Sequence, residues 1–252
     1  MSICIAIQLY SLREECQRDL EATLSDLRDI GYRRVEFDRE YVDPEEAGRM
    51  LGSLEMSACG LHVVLERIED HPQSVVDACL ALRTRRAIVS FVPRPLTPEL
   101  AEGLRGRLDA AAALLAAHGV SLGYHSHDWE FTPWSDGERP FNVVSRARRI
   151  FLEPDLGWVW HGGLDPVAFL REHAGRCTIA HIKDSATQGD RDSTCAVGEG
   201  AFPSVDVVRL APALGVETLV VEFNTPGKHS VYQAAQRSLD FIMAQATGAG
   251  GA

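Results

Sequence analysis

Apolar residues recur along this chain in two alternating rhythms, and the alternation runs from end to end. Short runs of strand character fall at Ile3–Leu9, Arg34–Phe37, Ser57–Val64, Ala87–Val92, Ser121–His127, Ile150–Asp155, Thr178–Lys183 and Thr218–Phe223. Between them lie longer segments whose apolar residues are three and four apart, the spacing that lines one face of a helix. Leu20, Leu24 and Leu27 are one example; Leu100, Leu104, Leu108 and Leu115 another; Val167 with Leu170, and Val208, Leu210 and Leu214, two more. Each is followed by a glycine (Gly31, Gly119, Gly175, Gly215), where a helix is expected to end and turn toward the next strand. The product is a strand-helix unit of about 30 residues, repeated eight times.

Strands separated by helices pair in parallel, and eight units with no linker or shift in composition predict closure into a single-domain (β/α)8 TIM barrel over residues 1–245. An open dinucleotide-binding sheet fits less well, because the first strand is followed by Gln8-Leu9-Tyr10-Ser11 and not by G-x-G-x-x-G. Residues 246–252, rich in glycine and alanine, read as a flexible C-terminal tail. A length of 252 residues matches the roughly 250 of one such barrel.

Composition narrows the function classes. No stretch approaches the roughly 20 apolar residues of a membrane helix, and Met1-Ser2-Ile3-Cys4-Ile5 lacks the basic and apolar segments of a secretory signal, so a cytoplasmic address is expected. A net charge of -11 argues against nucleic acid as a partner, since affinity for phosphate backbones comes from basic patches. Six scattered cysteines without a C-x-x-C pair predict reduced thiols, most of them partly buried, and neither a zinc knuckle nor a disulfide framework. The composition fits solubility and a small ligand; a homo-oligomer is compatible with all of this.

In such a barrel the working groups sit at the C-terminal ends of the strands. Strand two ends at Glu36, strand three reaches His62, and strand five ends with His125 and His127, which share a face because they are two residues apart. Strand six ends at Asp155, strand seven carries His181 and Lys183, and strand eight ends at Glu222; strand one offers only Gln8 and strand four nothing ionisable. A lone histidine at a strand end is usually just hydrogen-bonded, and a lone aspartate usually caps the next helix. Here, however, candidate ligands end four consecutive strands: His125 or His127, Asp155, His181 and Glu222. A mixed imidazole and carboxylate set suits zinc, manganese, cobalt or iron. Four protein ligands still leave two positions for substrate oxygens on a six-coordinate ion, which favours manganese or magnesium over a closed structural zinc. Glu36 and His62 are candidate substrate contacts, Glu130 a candidate site residue in the loop after strand five, and Trp129 and Trp158 candidate stacking surfaces for a sugar ring.

The segments Val35-Glu36-Phe37, Gly123-Tyr124-His125-Ser126-His127-Asp128-Trp129-Glu130-Phe131, Glu153-Pro154-Asp155-Leu156-Gly157-Trp158, Gly162-Gly163-Leu164-Asp165-Pro166, His181-Ile182-Lys183-Asp184, Gly198-Glu199-Gly200 and Val221-Glu222-Phe223 carry a resemblance over essentially the whole chain. In this order they resemble the sugar phosphate isomerase/epimerase family of the xylose isomerase-like TIM barrels. The resemblance implies one divalent metal, often Mn2+, held by His125, Asp155, His181 and Glu222. Well-studied ketose epimerases of the superfamily have glutamate at the strand-five position and use it with the strand-eight glutamate as an acid/base pair. Histidine stands there in this chain, which sets it apart from a two-glutamate relay.

The chemistry implied is proton abstraction beside a carbonyl through a metal-stabilised enolate. Return of the proton gives an epimer or isomer of a keto-sugar; loss of a β-substituent instead makes the enzyme a dehydratase or a keto-glycoside-cleaving lyase. Glu222 is the candidate base, with His127 or Glu130 as the opposing acid/base group, and Lys183 and His62 as groups that bind or polarise substrate oxygens. Glu199 is a candidate substrate contact whose charge disfavours a phosphate beside it. A barrel that works only with a partner subunit is a further alternative. The DNA-cutting branch of the same barrel needs more ligands and a basic track, which this acidic chain does not offer.

Overall fold

The computed structural model describes residues 3–92 and 94–247. Eight strands carry the expected alternation: β1 (Cys4–Gln8), β2 (Arg34–Phe37), β3 (Ser57–Val63), β4 (Arg86–Val89), β5 (Ser121–Ser126), β6 (Phe151–Pro154), β7 (Ile179–Ile182) and β8 (Thr218–Val221). All neighbours pair in parallel, in the order β6-β5-β4-β3-β2-β1-β8-β7. The edge strands β6 and β7 meet through a parallel bridge between Asp155 and His181, so the sheet curls into a nearly closed (β/α)8 barrel. No helix among the described residues is long and apolar enough to cross a membrane.

Several strands are shorter than their apolar runs. β1 stops at Gln8 because the Gln8 side chain accepts from Tyr10 N at 3.4 Å and starts a 3-10 turn over Leu9–Leu12. The fourth run continues to Val92, but pairing ends at Val89 and Phe91 lies 66% exposed. The helices follow their periodicity more closely. Asp19 caps the helix Leu20–Ile30, which buries Leu20, Leu24 and Leu27. Thr97 caps Pro98–Ala116, where the buried stripe runs through Ala101, Leu104, Leu108 and Leu115. Leu100, expected on that stripe, is 52% exposed, and Ala101 takes the buried place in that first turn. The segment with Val208 and Leu210 is a short helix, Ser204–Leu210, followed by a 3-10 turn, Ala211–Leu214; its buried apolar residues are Val207, Val208 and Ala211, while Leu210 and Leu214 are only partly covered. Gly215 ends it at φ 93°, a left-handed turn for which glycine is the residue of choice. The closing helix Val231–Thr247 includes the first two residues of the expected tail; residues 248–252 lie outside those described.

Period-two alternation turns every second strand residue into the barrel, and the inward residues stack in layers. An apolar layer of Ala6, Cys59, Ile179 and Val220, with Phe151 packed against it, plugs the lower half. Gly123 makes room for this plug, because a Cβ there would fall 2.4 Å from the Phe151 ring. Above the plug the interior is polar: Gln8, Glu36, His62, His125, Glu153 and His181, then Asp155, Lys183 and Glu222 nearest the C-terminal mouth, all 7% exposed or less.

Candidate metal centre

The four expected ligands converge. Ligand atoms of His125, Asp155, His181 and Glu222 lie within 4.8 Å of one another, at the seam where β6 meets β7. The His125 and His181 rings stand edge to face, with centroids 4.5 Å apart. Of the two strand-five histidines it is thus His125 that joins the cluster.

Beneath the four sits a set of groups that turns the rings. Glu153 Oε2 lies 3.2 Å from His125 Nδ1, which leaves Nε2 of that ring for a cation. His181 is held from both sides: its Nε2 is 2.6 Å from Glu36 Oε2, and its Nδ1 is 2.6 Å from Glu222 Oε2. Nδ1 is therefore the nitrogen on the Glu222 side. His62 Nε2 bridges the two lower carboxylates, 3.1 Å from Glu36 and 3.0 Å from Glu153, and Gln8 Nε2 donates to Glu36 Oε2 at 2.9 Å. Carboxylates on the far nitrogens of two ligand imidazoles are the arrangement by which proteins orient histidines toward a metal. His62, His125, Glu153 and His181 are also close enough to form a ligand set of their own, but their nitrogens are engaged by Glu36 and Glu153.

The two imidazoles differ in charge: burial opposes protonation of His181, but Glu36, Glu153 and Glu222 outweigh it and raise its pKa well above the usual imidazole range. Burial, together with nearby His181 and His127, holds His125 well below the usual imidazole range, so it is neutral as a ligand must be. Burial also opposes protonation of His62, but Glu36 and Glu153 outweigh it and raise its pKa to about 10. Burial and the neighbouring Glu36 push Glu153 up to about 7. Burial works against ionisation of Glu36 as well, yet His62 and His181 hold it below the ordinary carboxylate range.

Lys183, fully buried, is the cation of the upper layer: its Nζ lies 2.8 Å from Asp155 Oδ2 and 3.0 Å from Glu222 Oε1. Asp155 also caps the helix Leu156–His161 by accepting from Trp158 N at 3.1 Å, so its cap and ligand readings coexist. His127 is half-buried beside the cluster, its ring 5.0 Å from that of His125 and stacked on Trp129 at 4.2 Å. Burial, with Lys183 nearby, lowers its pKa to about 3, and its buried Nδ1 has no hydrogen-bond partner.

Other expected site residues lie elsewhere or face other groups. Glu36 and His62 turn their polar atoms toward the histidines and Glu153, as supports below the ligands. Glu130 is fully buried, and its two oxygens are taken by the Tyr124 hydroxyl and the His127 backbone N–H. Trp158 is 3% exposed, with Lys183 Nζ 4.1 Å and Arg191 Cζ 4.7 Å from its ring, so it packs beneath the rim. The Glu199 carboxylate pairs with Arg237 and His229 and does not join the cluster. Sequence reasoning missed Glu153 as a site residue, although it stands two residues before Asp155 on the same strand face.

The motifs around the ligands also explain one another. Asp184, directly after Lys183, accepts from Ser185 N at 2.8 Å, Gly198 N at 2.8 Å, Phe202 N at 3.1 Å and Ser204 Oγ at 2.9 Å. A Cβ at Gly200 would fall 2.2 Å from Asp184 Oδ1. The His181-Ile182-Lys183-Asp184 and Gly198-Glu199-Gly200 segments are therefore two halves of one loop lock.

The donor set fits a divalent cation: two imidazoles turned by carboxylates and two carboxylates whose present counter-charge is a lysine. No sequence-family model matches the chain, and no curated protein matches it in sequence. Solved structures do match in fold. A sugar phosphate isomerase/epimerase from Parabacteroides distasonis ATCC 8503 superposes with a TM-score of 0.80 at 19% identity, over 98% of this chain and 94% of that one. An IOLI protein with a bound zinc atom gives 0.78 at 14% identity over 100% of both chains. The probable 3-DHS dehydratase AsbF of Bacillus anthracis gives 0.75 at 12% identity over 96% and 99%. The chain thus shares the (β/α)8 barrel fold of these proteins, an architecture found in a sugar phosphate isomerase/epimerase and in a probable dehydratase.

Proposed function

We propose that the protein is a divalent-metal-dependent isomerase or epimerase of a keto-sugar or related polyhydroxy carbonyl compound. The observation that carries this reading is the convergence of His125, Asp155, His181 and Glu222 at the C-terminal mouth, beside a cationic Lys183 and a half-buried His127. A bound divalent ion supplies Lewis-acid polarisation of a carbonyl and its neighbouring hydroxyl, which acidifies the carbon between them. Mn2+ is our first choice: His125, Asp155, His181 and Glu222 would hold it, and a mixed imidazole and carboxylate set suits such an ion.

Glu222 is assigned as the base that removes this proton. His127 is assigned the opposing acid/base role, since its Nδ1 is buried without a partner and its ring adjoins the ligands. Lys183 fixes the Asp155 and Glu222 carboxylates. Glu36, Glu153 and His62 keep the ligand rings in one orientation, and Glu130 holds the loop after β5 from below.

A dehydratase or lyase reading shares the first step. It is favoured by the histidine on strand five, where a two-carboxylate relay would place glutamate. The test is a screen of ketoses and keto-inositols with the metal-loaded protein in deuterated buffer. Deuterium entering the substrate without an ultraviolet band establishes isomerisation or epimerisation. A new enone band establishes elimination. No exchange and no new band with any of them would refute proton abstraction as the activity.

A further inference from the structure

The opposite mouth of the barrel carries chemistry that the metal centre does not use. Arg34 at the start of β2, Arg83 and Arg85 in the turn before β4, and Arg86 at its start surround a cavity of about 350 Å³, with Ser57 and Ser121 on its wall. This runs against composition, because the chain has 25 basic against 36 acidic residues. Arg86 has a carboxylate partner, Glu217, at 3.0 Å. Among the described residues no ion pair is formed by Arg34, Arg83 or Arg85. Guanidinium groups gathered around a concavity with only one carboxylate among them repel one another and focus a positive field into it.

Arg83 is placed there against a backbone preference. It follows the helix Pro72–Ala81 and its cap residue Leu82, and it adopts φ 61°, the left-handed turn that this chain elsewhere gives to Gly31, Gly119 and Gly215. Glu55 is the other non-glycine residue with positive φ among those described. The neighbouring helix also leaves room for the Arg83 side chain: a Cβ at Gly52 would come within 2.6 Å of its Nη2. Above the cavity Cys59 belongs to the apolar plug, which separates this mouth from the polar layers of the metal centre.

We propose that this N-terminal mouth is a binding site for a phosphorylated small molecule, distinct from the metal centre. Guanidinium forks match phosphate oxygens in shape and charge. The cavity is larger than one phosphate needs and of the size that takes small ligands. The acidic character of the whole chain excludes a nucleic-acid polymer as the occupant.

The experiment titrates inorganic phosphate against chloride at equal ionic strength. It uses calorimetry and thermal unfolding of the full-length protein, its Arg83→Gly variant, its Arg34→Gln/Arg85→Gln double variant and Glu222→Gln. Arg83→Gly suits the left-handed turn, so it is expected to fold and to melt no lower than the parent without phosphate. The proposal expects phosphate to bind the parent and Glu222→Gln alike, and to bind Arg83→Gly and the double variant at least tenfold more weakly. Absence of binding to the parent, or equal phosphate stabilisation of parent and arginine variants, would overturn it. Loss of binding in Glu222→Gln would overturn it too, by moving the anion to the metal centre.

Discussion

Lys183 and Glu130 show how single residues in this barrel take their roles from what surrounds them. Lys183 is fully buried between Asp155 and Glu222, and removing one member of a buried ion cluster strands the others. Lys183→Met is expected to lower the stability of metal-free protein by about 3 to 5 kcal/mol, and by less once a divalent ion takes up the two carboxylates. Urea unfolding with chelator and with Mn2+ checks this; equal losses in both conditions would contradict it. Glu130 titrates differently. Burial raises its pKa to about 8, against 4.5 for the unfolded chain, even though the His127 N–H and Tyr124 hydroxyl favour the carboxylate. The folded state then holds a proton that the unfolded state has lost, so the contribution of this group to stability falls as pH rises from about 4.5 to about 8. Glu130→Gln should flatten that part of the stability profile. A profile as steep in the variant as in the parent would refute the assignment.

At this scale legibility in the sequence was uneven. His125, Asp155, His181 and Glu222 could be read because each ends a strand whose pattern is clear. The partners of Glu36 and His62 could not, because whether an inward side chain meets another ring or carboxylate depends on its depth in the barrel. Period two gives the face of a residue and says nothing of its layer. The same blindness hid Glu153, and Glu199 stood close in sequence to the site while its partners, His229 and Arg237, came from the closing helix region.

Elements matter here chiefly where strands hand over to loops. The β7 strand passes directly into Lys183 and Asp184, and Asp184 ties together backbone and hydroxyl donors from 185 to 204. Asp184→Ala would leave those donors buried without an acceptor, at a cost of about 3 kcal/mol or more, although it touches no ligand. The expected outcome is a lower unfolding midpoint with Lys183 and its neighbours displaced. Unchanged stability would show that the loop finds other acceptors. After β6, Gly157 has a related function, since a Cβ there would lie 2.6 Å from Lys183 Cβ and 2.7 Å from its carbonyl oxygen. Gly157→Ala should therefore cost about 1 to 3 kcal/mol by overpacking and weaken metal binding by shifting Asp155. Metal titration followed by calorimetry reads both effects, and parent-like affinity would contradict the second. Such locks leave only a motif in the sequence: His-Ile-Lys-Asp and Gly-Glu-Gly can be spotted, but their contact is long-range.

For the whole molecule the division into layers is the main result. An apolar plug closes the lower half of the barrel, a carboxylate and histidine layer rests on it, and the four convergent candidate ligands lie above that layer near the C-terminal mouth. The barrel itself was legible because eight strand-helix units repeat without interruption, and repetition averages out local errors such as the misplaced Leu100. Strand ends were less legible, because pairing stops wherever side chains cap turns or enter the site, as Gln8 does. The central claim is that this stack exists to hold one divalent ion between His125, Asp155, His181 and Glu222. The direct test is elemental mass spectrometry of the purified protein, its Asp155→Asn and its Glu222→Gln variants, each reconstituted with Mn2+, Zn2+ or Co2+ and dialysed against a weak chelator. One bound ion per chain in the parent, sharply reduced in both variants, is the predicted result. A parent that stays empty with all three ions, or variants that keep the ion as the parent does, would contradict it.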